Sequence, residues 1–250
     1  MFSLEIECDP EDHDLLIAEL WEQGSAGVVE LSAARVRAFF EDEADSGDLL
    51  RLFPGARKRF EEQRDWVQSS RDLLQPMEVG TRFFLAPAWR DDPAPPGRFR
   101  ITVNPGMAFG TGIHETTQLC LEALEDYVTP GMTVLDVGTG SGILTEAAKL
   151  LGAGIVFGCD IDPVAMEIAR NGFVGSVDAV ATAWADLIVA NISPEAVVQL
   201  GPEMLRVLRR PGGVILASGF ERHEVELVKT VFPPVLEVRR KGDWELMVVG

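Results

Sequence analysis

The stretch Thr133 to Gly142, TVLDVGTGSG, constrains the chain most. An apolar run, Val134 and Leu135, leads to an acid, Asp136, and then to glycines at Gly138, Gly140 and Gly142. The helix-forming ILTEAAKLLG follows at once. Apolar run, glycine break and helical periodicity in that order predict a buried strand, a tight turn and a helix start. Such a turn sets backbone N–H groups and the positive end of a helix at a strand's carboxyl edge, where an anionic or polar ligand can approach closely. Open α/β sheets bind their ligands at these edges.

The glycine spacing is G-x-G-x-G, with Ile143 where the dinucleotide fingerprint wants its third glycine, so the match to a nicotinamide cofactor is the weaker one. A second strand, Ile155 to Cys159, ends at Asp160, 22 residues past Gly138. An acid there is placed to accept hydrogen bonds from both ribose hydroxyls of a nucleoside. A glycine corner alone is a common structural device. Corner, second strand and acid together point to a nucleoside-type cofactor.

With 250 residues and 46% hydrophobic content the chain has enough for one large or two small packed domains. Its net charge is −18, and residues 1–78 hold 19 acids against 8 bases, so most of the excess lies in the first third. That surface repels nucleic acid and suits a basic partner, although a solubilising acidic face is the blander explanation. Three scattered cysteines, Cys8, Cys120 and Cys159, suggest a reducing compartment and neither a disulfide framework nor a zinc site. The acidic start lacks the blocks of a signal peptide, and no apolar run approaches the roughly 20 residues of a membrane helix. A cytoplasmic protein that does not engage a membrane is expected.

Along the chain, Phe2–Glu7, the helix of Leu15, Leu16, Leu20 and Trp21, the strands Gly27–Leu31 and Arg35–Phe40, and a short helix at Leu49–Phe53 suggest a small ferredoxin-like α+β module. His13 is expected in an exposed turn. Arg57 to Ser70 reads as a helical or irregular connector. This gives a recognition domain over residues 1–61, a linker over 62–76 and a ligand-binding domain over 77–250. Strands follow at Phe83–Leu85 and Phe99–Val103, then the loop NPGMAFGTGIHETT from Asn104 to Thr117 and a helix over Gln118–Tyr127. The loop's glycines and hydroxyls suit a segment that closes over a ligand. Glu115, Thr116 and Thr117 offer capping chemistry, and His114 is more often structural than a base. Further on come a helix over Val164–Arg170, a weak strand over Phe173–Val180, the strand Asp186–Ala190 ending in Asn191, a helix over Pro194–Leu208, the strand Val214–Ser218 and a helix over Glu221–Phe232. A hairpin of Val235–Arg240 and Trp244–Val249 closes the chain. Asn191, at a strand's carboxyl end beside the glycine turn, is placed to touch cofactor and substrate.

A mostly parallel seven-stranded α/β sheet ending in a hairpin, with GTGSG after its first strand and an acid after its second, resembles the Rossmann-like class I S-adenosylmethionine-dependent methyltransferases. NPGMAFGTGIHETT and DLIVANI narrow the resemblance to the PrmA family, bacterial enzymes that methylate ribosomal protein eleven of the large subunit. The resemblance runs from about Met77 to the end. It implies cofactor contacts at Thr117, Gly138, Asp160 and Asn191, methylation of lysine side chains and an α-amino group, and no metal. It also implies that the N-terminal module grips the basic ribosomal protein, with no direct contact to nucleic acid. One departure is visible: the segment from Asp160 to Asn191 is shorter than the family pattern, because its helix stops at Asn171-Gly172.

The chemistry asks little of side chains, so no general base is assigned. The sequence leaves the oligomeric state open, with a monomer the expectation. Two other classes stay open on the residues: a nicotinamide-dependent oxidoreductase using the same turn, and a binding module keeping the pocket without activity. A methyltransferase acting on another protein or a small molecule is the nearer alternative.

Overall fold

The computed structural model describes residues 2–9, 13–32, 34–40, 44–60, 75–103, 114–169, 171–232 and 234–250. The chain forms two units, Met1–Leu73 and Leu74–Gly250. The expected connector beyond Phe60 and most of the expected covering loop, residues 104–113, lie outside the described residues.

In the first unit the order is β1 (Phe2–Glu7), α1 (His13–Glu22), β2 (Gly27–Ser32), β3 (Arg35–Phe40), α2 (Ser46–Leu52) and β4 (Arg57–Phe60). The sheet runs β2-β3-β1-β4, with β1 antiparallel to both neighbours. Alternation sends Phe2, Leu4, Ile6, Val36, Ala38 and Phe40 to one face, where they pack with Leu20, Leu49 and Phe53. On the other face Glu5 sits among Arg37 (3.0 Å), Arg59 (3.1 Å) and Arg35 (3.6 Å). The Arg37 hydrogen bond, with help from all three cations, holds the Glu5 carboxyl below its ordinary range. Two expectations change. Arg57–Phe60 is a fourth strand, not connector: RKRF shows no apolar alternation, and backbone pairing with β1 at the sheet edge makes the strand. His13 is the first residue of α1 rather than part of a turn.

The second unit holds two sheets. A small one joins β5 (Met77–Val79), β6 (Phe83–Pro87) and β7 (Phe99–Val103), antiparallel then parallel. The large one contains β8 (Thr133–Val137), β9 (Ile155–Asp160), β10 (Gly172–Val174), β11 (Leu187–Asn191), β12 (Val214–Glu221), β13 (Val235–Lys241) and β14 (Trp244–Val249). Its order is β10-β9-β8-β11-β12-β14-β13, parallel through β12 and antiparallel beyond. The helices are α3 (Glu115–Tyr127), α4 (Ile143–Leu150), α5 (Pro163–Ala169), α6 (Pro194–Val207) and α7 (Val225–Lys229).

Helices on both faces explain why the central strands read as unbroken apolar runs. Val134, Val189, Leu216 and Val248 meet Leu119, Ala123 and Leu144 of α3 and α4 on one side. Leu135, Ile188, Ile215 and Met247 meet Val197, Met204 and Val228 of α6 and α7 on the other. The closing hairpin turns through Gly242-Asp243, with Gly242 at φ +58°.

Several boundaries shift. β12 extends to Glu221, so the expected Glu221–Phe232 helix is a single 3-10 turn, Arg222–Glu224, followed by the five-residue α7. The weak strand expected over Phe173–Val180 is only β10, followed by a 3-10 turn at Val177–Ala179. The strand at Met77–Val79 was not expected; three residues are too short to show a period.

Candidate functional site

The carboxyl ends of β8, β9 and β11 meet at the glycine turn. Gly138 has φ +73°, and a β-carbon there would collide with the Ile192 side chain, so only glycine lets the strand end pass that close. The turn is pinned from within. Gly138 N–H and Thr139 N–H both donate to the Cys159 carbonyl, at 2.8 and 3.1 Å, and Gly142 N–H donates to the Thr139 carbonyl at 2.8 Å. Gly140 N–H donates to Asp160 Oδ2 at 2.9 Å. The expectation of bare N–H groups is therefore corrected: β9 takes the donors of Gly138, Thr139 and Gly140. What the turn presents at Gly138 and Gly140 is bare backbone surface, beside the half-buried Ser141.

Asp160 is half-buried at the end of β9. Its other oxygen, Oδ1, accepts from Asp162 N–H at 3.0 Å. Each carboxylate oxygen thus spends one lone pair on the backbone and keeps another for a ligand. Asp162 in turn caps α5, accepting from Val164 N–H at 2.9 Å.

Asn191 is the last residue of β11, paired with Ser218 of β12. Its amide nitrogen donates to Thr117 Oγ1 at 3.3 Å. Thr117 is buried, in the first turn of α3. Behind Asn191 the chain passes Gly219, at φ +102°, where a β-carbon would overlap the Ile192 carbonyl. The four residues singled out from sequence are thus joined in one arc: Asp160 to the turn, the turn to Ile192 and Asn191, and Asn191 to Thr117.

Two features were not foreseen. His114, not the Glu115-Thr116-Thr117 run, caps α3: its Nδ1 accepts from Thr116 N–H at 3.3 Å and lies 2.8 Å from Thr116 Oγ1. Its ring meets Trp244 edge-on at 4.6 Å. Asp136 lies fully buried beneath the turn, accepting from Thr139 Oγ1 at 2.7 Å through Oδ2. Burial, opposed by that hydroxyl and reinforced by the Asp160 carboxylate, pushes Asp136 up to about 7. Burial likewise pushes the Cys159 thiol up to about 12, so it is no nucleophile at neutral pH. The signal for Asp136 was its place as the sole acid in an otherwise apolar strand. Among the described residues no cluster of His, Cys, Asp or Glu is arranged to hold a metal ion.

Six parallel strands with one antiparallel strand, β14, inserted between β12 and β13, and a glycine turn and an acid at adjoining strand ends, define the class I S-adenosylmethionine-dependent methyltransferase fold. A profile of the family described as ribosomal protein L11 methyltransferase (PrmA) matches residues 33–249. A ribosomal protein L11 methyltransferase of Symbiobacterium thermophilum is 43% identical over 204 residues, covering 78% of this chain and 66% of that protein. One of Pelobacter propionicus is 36% identical over 299 aligned positions, covering 98% and 96%. A crystal structure of ribosomal protein L11 methylase from Lactobacillus delbrueckii subsp. bulgaricus superposes with a TM-score of 0.65 at 29% identity, covering 71% of this chain and 98% of that one. The chain belongs to the ribosomal protein L11 methyltransferase (PrmA) family. It spans just under two thirds of the Symbiobacterium relative's length. The 299 aligned positions exceed its 250 residues, so the Pelobacter relative carries segments that this chain lacks.

Proposed function

We propose that this protein transfers methyl groups from S-adenosylmethionine to lysine side-chain and α-amino groups of ribosomal protein L11. The observation that carries this reading is the arc of Asp160, Gly138, Asn191 and Thr117. A carboxylate with lone pairs to spare beside the glycine backbone of Gly138 and Gly140 fits a ribose that must come close to backbone. Asp160 would accept from the ribose hydroxyls, Gly138 would give the cofactor room against the turn, and Asn191 with Thr117 would border the reacting end.

When bound, S-adenosylmethionine supplies an electrophilic methyl carbon. The protein's task is then to bring a neutral amine in line with it, and positioning supplies much of the rate. A lysine amine has an ordinary pKa of about 10.4, so it must lose its proton on entry, which desolvation favours. The Asn191 amide nitrogen is committed to Thr117, which leaves its Oδ1 as the acceptor that orients the amine.

The first unit is the proposed grip on L11, since its acidic excess suits a basic partner. No described helix is long and apolar enough to cross a membrane, and work in the cytoplasm without contact to nucleic acid fits the substrate. Calorimetry with S-adenosylmethionine and with NAD, followed by a methyl-transfer assay on L11, tests the reading. Binding of NAD alone would overturn it. A chain beginning at Met77 should still bind S-adenosylmethionine and lose transfer to L11; full transfer would refute the recognition role.

A further inference from the structure

Asp136 has no assigned part in this reaction, yet its surroundings are unusual. It is 0% exposed, and its Oδ1 has no hydrogen-bond partner among the described residues. Val134, two residues earlier, packs with α3 and α4, so Asp136 points to the same side of the sheet. There it is met by Cys120 of α3, by Thr145 of α4 and by Asp160 of β9, while Cys159 lies on the opposite face of the sheet. Ser218 of β12 lies against Cys120 and spends its hydroxyl proton on the Glu245 carbonyl at 2.8 Å. Among the described residues the Thr139 hydroxyl donates to the carboxylate, and the Thr145 backbone adds a weaker contribution that also favours the ion; burial outweighs both. Among the described residues the charged neighbour is Asp160, which is negative, and no Lys, Arg or His pairs with Asp136.

A buried carboxyl in that setting stays protonated until a positive charge arrives, because burial penalises the ion and a nearby cation restores it. The cofactor is such a cation. S-adenosylmethionine carries a sulfonium and an ammonium against one carboxylate. Its spent product keeps the ammonium and carboxylate but has lost the sulfonium charge along with the methyl group.

We propose that Asp136 senses the cofactor's charge: its carboxyl releases its proton to solvent when the sulfonium form occupies the glycine turn, and takes one back when the thioether product replaces it. The inference rests on the reading of the turn as the S-adenosylmethionine site. Asp136 is held up to about 7 without ligand, so this exchange falls in the neutral range. The sign follows: affinity for S-adenosylmethionine rises with pH, by about tenfold for each pH unit that the bound cation lowers the carboxyl. Affinity for the product stays flat, so the pocket discards spent cofactor more selectively at higher pH.

The test is calorimetry on the full chain between pH 6 and 8.5, in two buffers of different ionisation enthalpy, titrating S-adenosylmethionine and S-adenosylhomocysteine. The expected result is a fraction of a proton released with the first ligand and close to none with the second. The ratio of the two affinities should widen by about three- to tenfold over that range. Asp136→Asn should abolish the difference in proton release. Thr139→Val, which removes the hydroxyl that stabilises the carboxylate, should move the pH dependence upward. If Asp136→Asn fails to fold, the two ligands on the natural chain still decide. Equal proton release with both, or none with either, overturns the proposal. Failure of both ligands to bind would instead overturn the cofactor reading beneath it.

Discussion

The centre and the β9–β10 edge of the large sheet build the two halves of one site from very different material. β8 and β11 are buried along nearly their whole length and covered on both faces. At the edge, Ile155 and Phe157 of β9 are 50% and 42% exposed, Val174 of β10 is 55% exposed, and α5 has seven residues. The glycine turn and Asn191 therefore stand on a packed core, while Asp160 stands on a thin margin. Asp160 keeps its place through short-range hydrogen bonds, from Gly140 N–H and Asp162 N–H, more than through packing. Binding geometry can thus be fixed locally where burial is scarce. The short segment between Asp160 and Asn191 removes cover from the sheet without removing the carboxylate from its position.

That contrast can be broken by mutation. Ile188→Ala, at a fully buried position of β11, should destabilise the fold by about 2–5 kcal/mol in urea denaturation. Phe157→Ala, at the edge, should cost about 1 kcal/mol or less. Equal losses would mean that the edge is as firmly built as the centre. Next in size, Asp160→Ala should weaken S-adenosylmethionine binding by about 1.5–3 kcal/mol in calorimetry, with little change in the unfolding midpoint. A large drop in stability with unchanged affinity would make Asp160 a structural residue of the turn. Asn191→Ala should have a smaller effect, about 1 kcal/mol on binding, from loss of its bond to Thr117, with transfer to the amine reduced more than cofactor affinity. Loss of affinity alone would remove Asn191 from amine positioning. Hydrogen exchange should show the least protection at Gly172–Val174 among the parallel strands, since local opening follows poor burial.

How much of this was legible in the sequence follows the same division. TVLDV and DLIVA read as buried strands because cover on both faces demands continuous apolar residues, and the structure bounds them within a residue. The acid at the end of β9 was legible from its distance past the glycines. The exposed edge was not: IVF looks like a core strand, and only the missing cover leaves Ile155 and Phe157 in solvent. β4 was hidden because RKRF carries its signal in backbone pairing rather than in side chains. The cap on α3 is hidden in the sequence because two threonines, good capping residues, follow a histidine, and φ and ψ at His114 decide the matter. The fate of the turn's N–H groups could not be read at all, since it depends on where β9 lies beside β8.

The most direct test of the central claim is mass spectrometry of purified ribosomal protein L11 after incubation with this protein and S-adenosylmethionine. The account predicts methyl additions on lysine side chains and the α-amino group, lost when Asp160→Ala is used at limiting cofactor. L11 that stays unmodified, while calorimetry shows the cofactor bound, would contradict it.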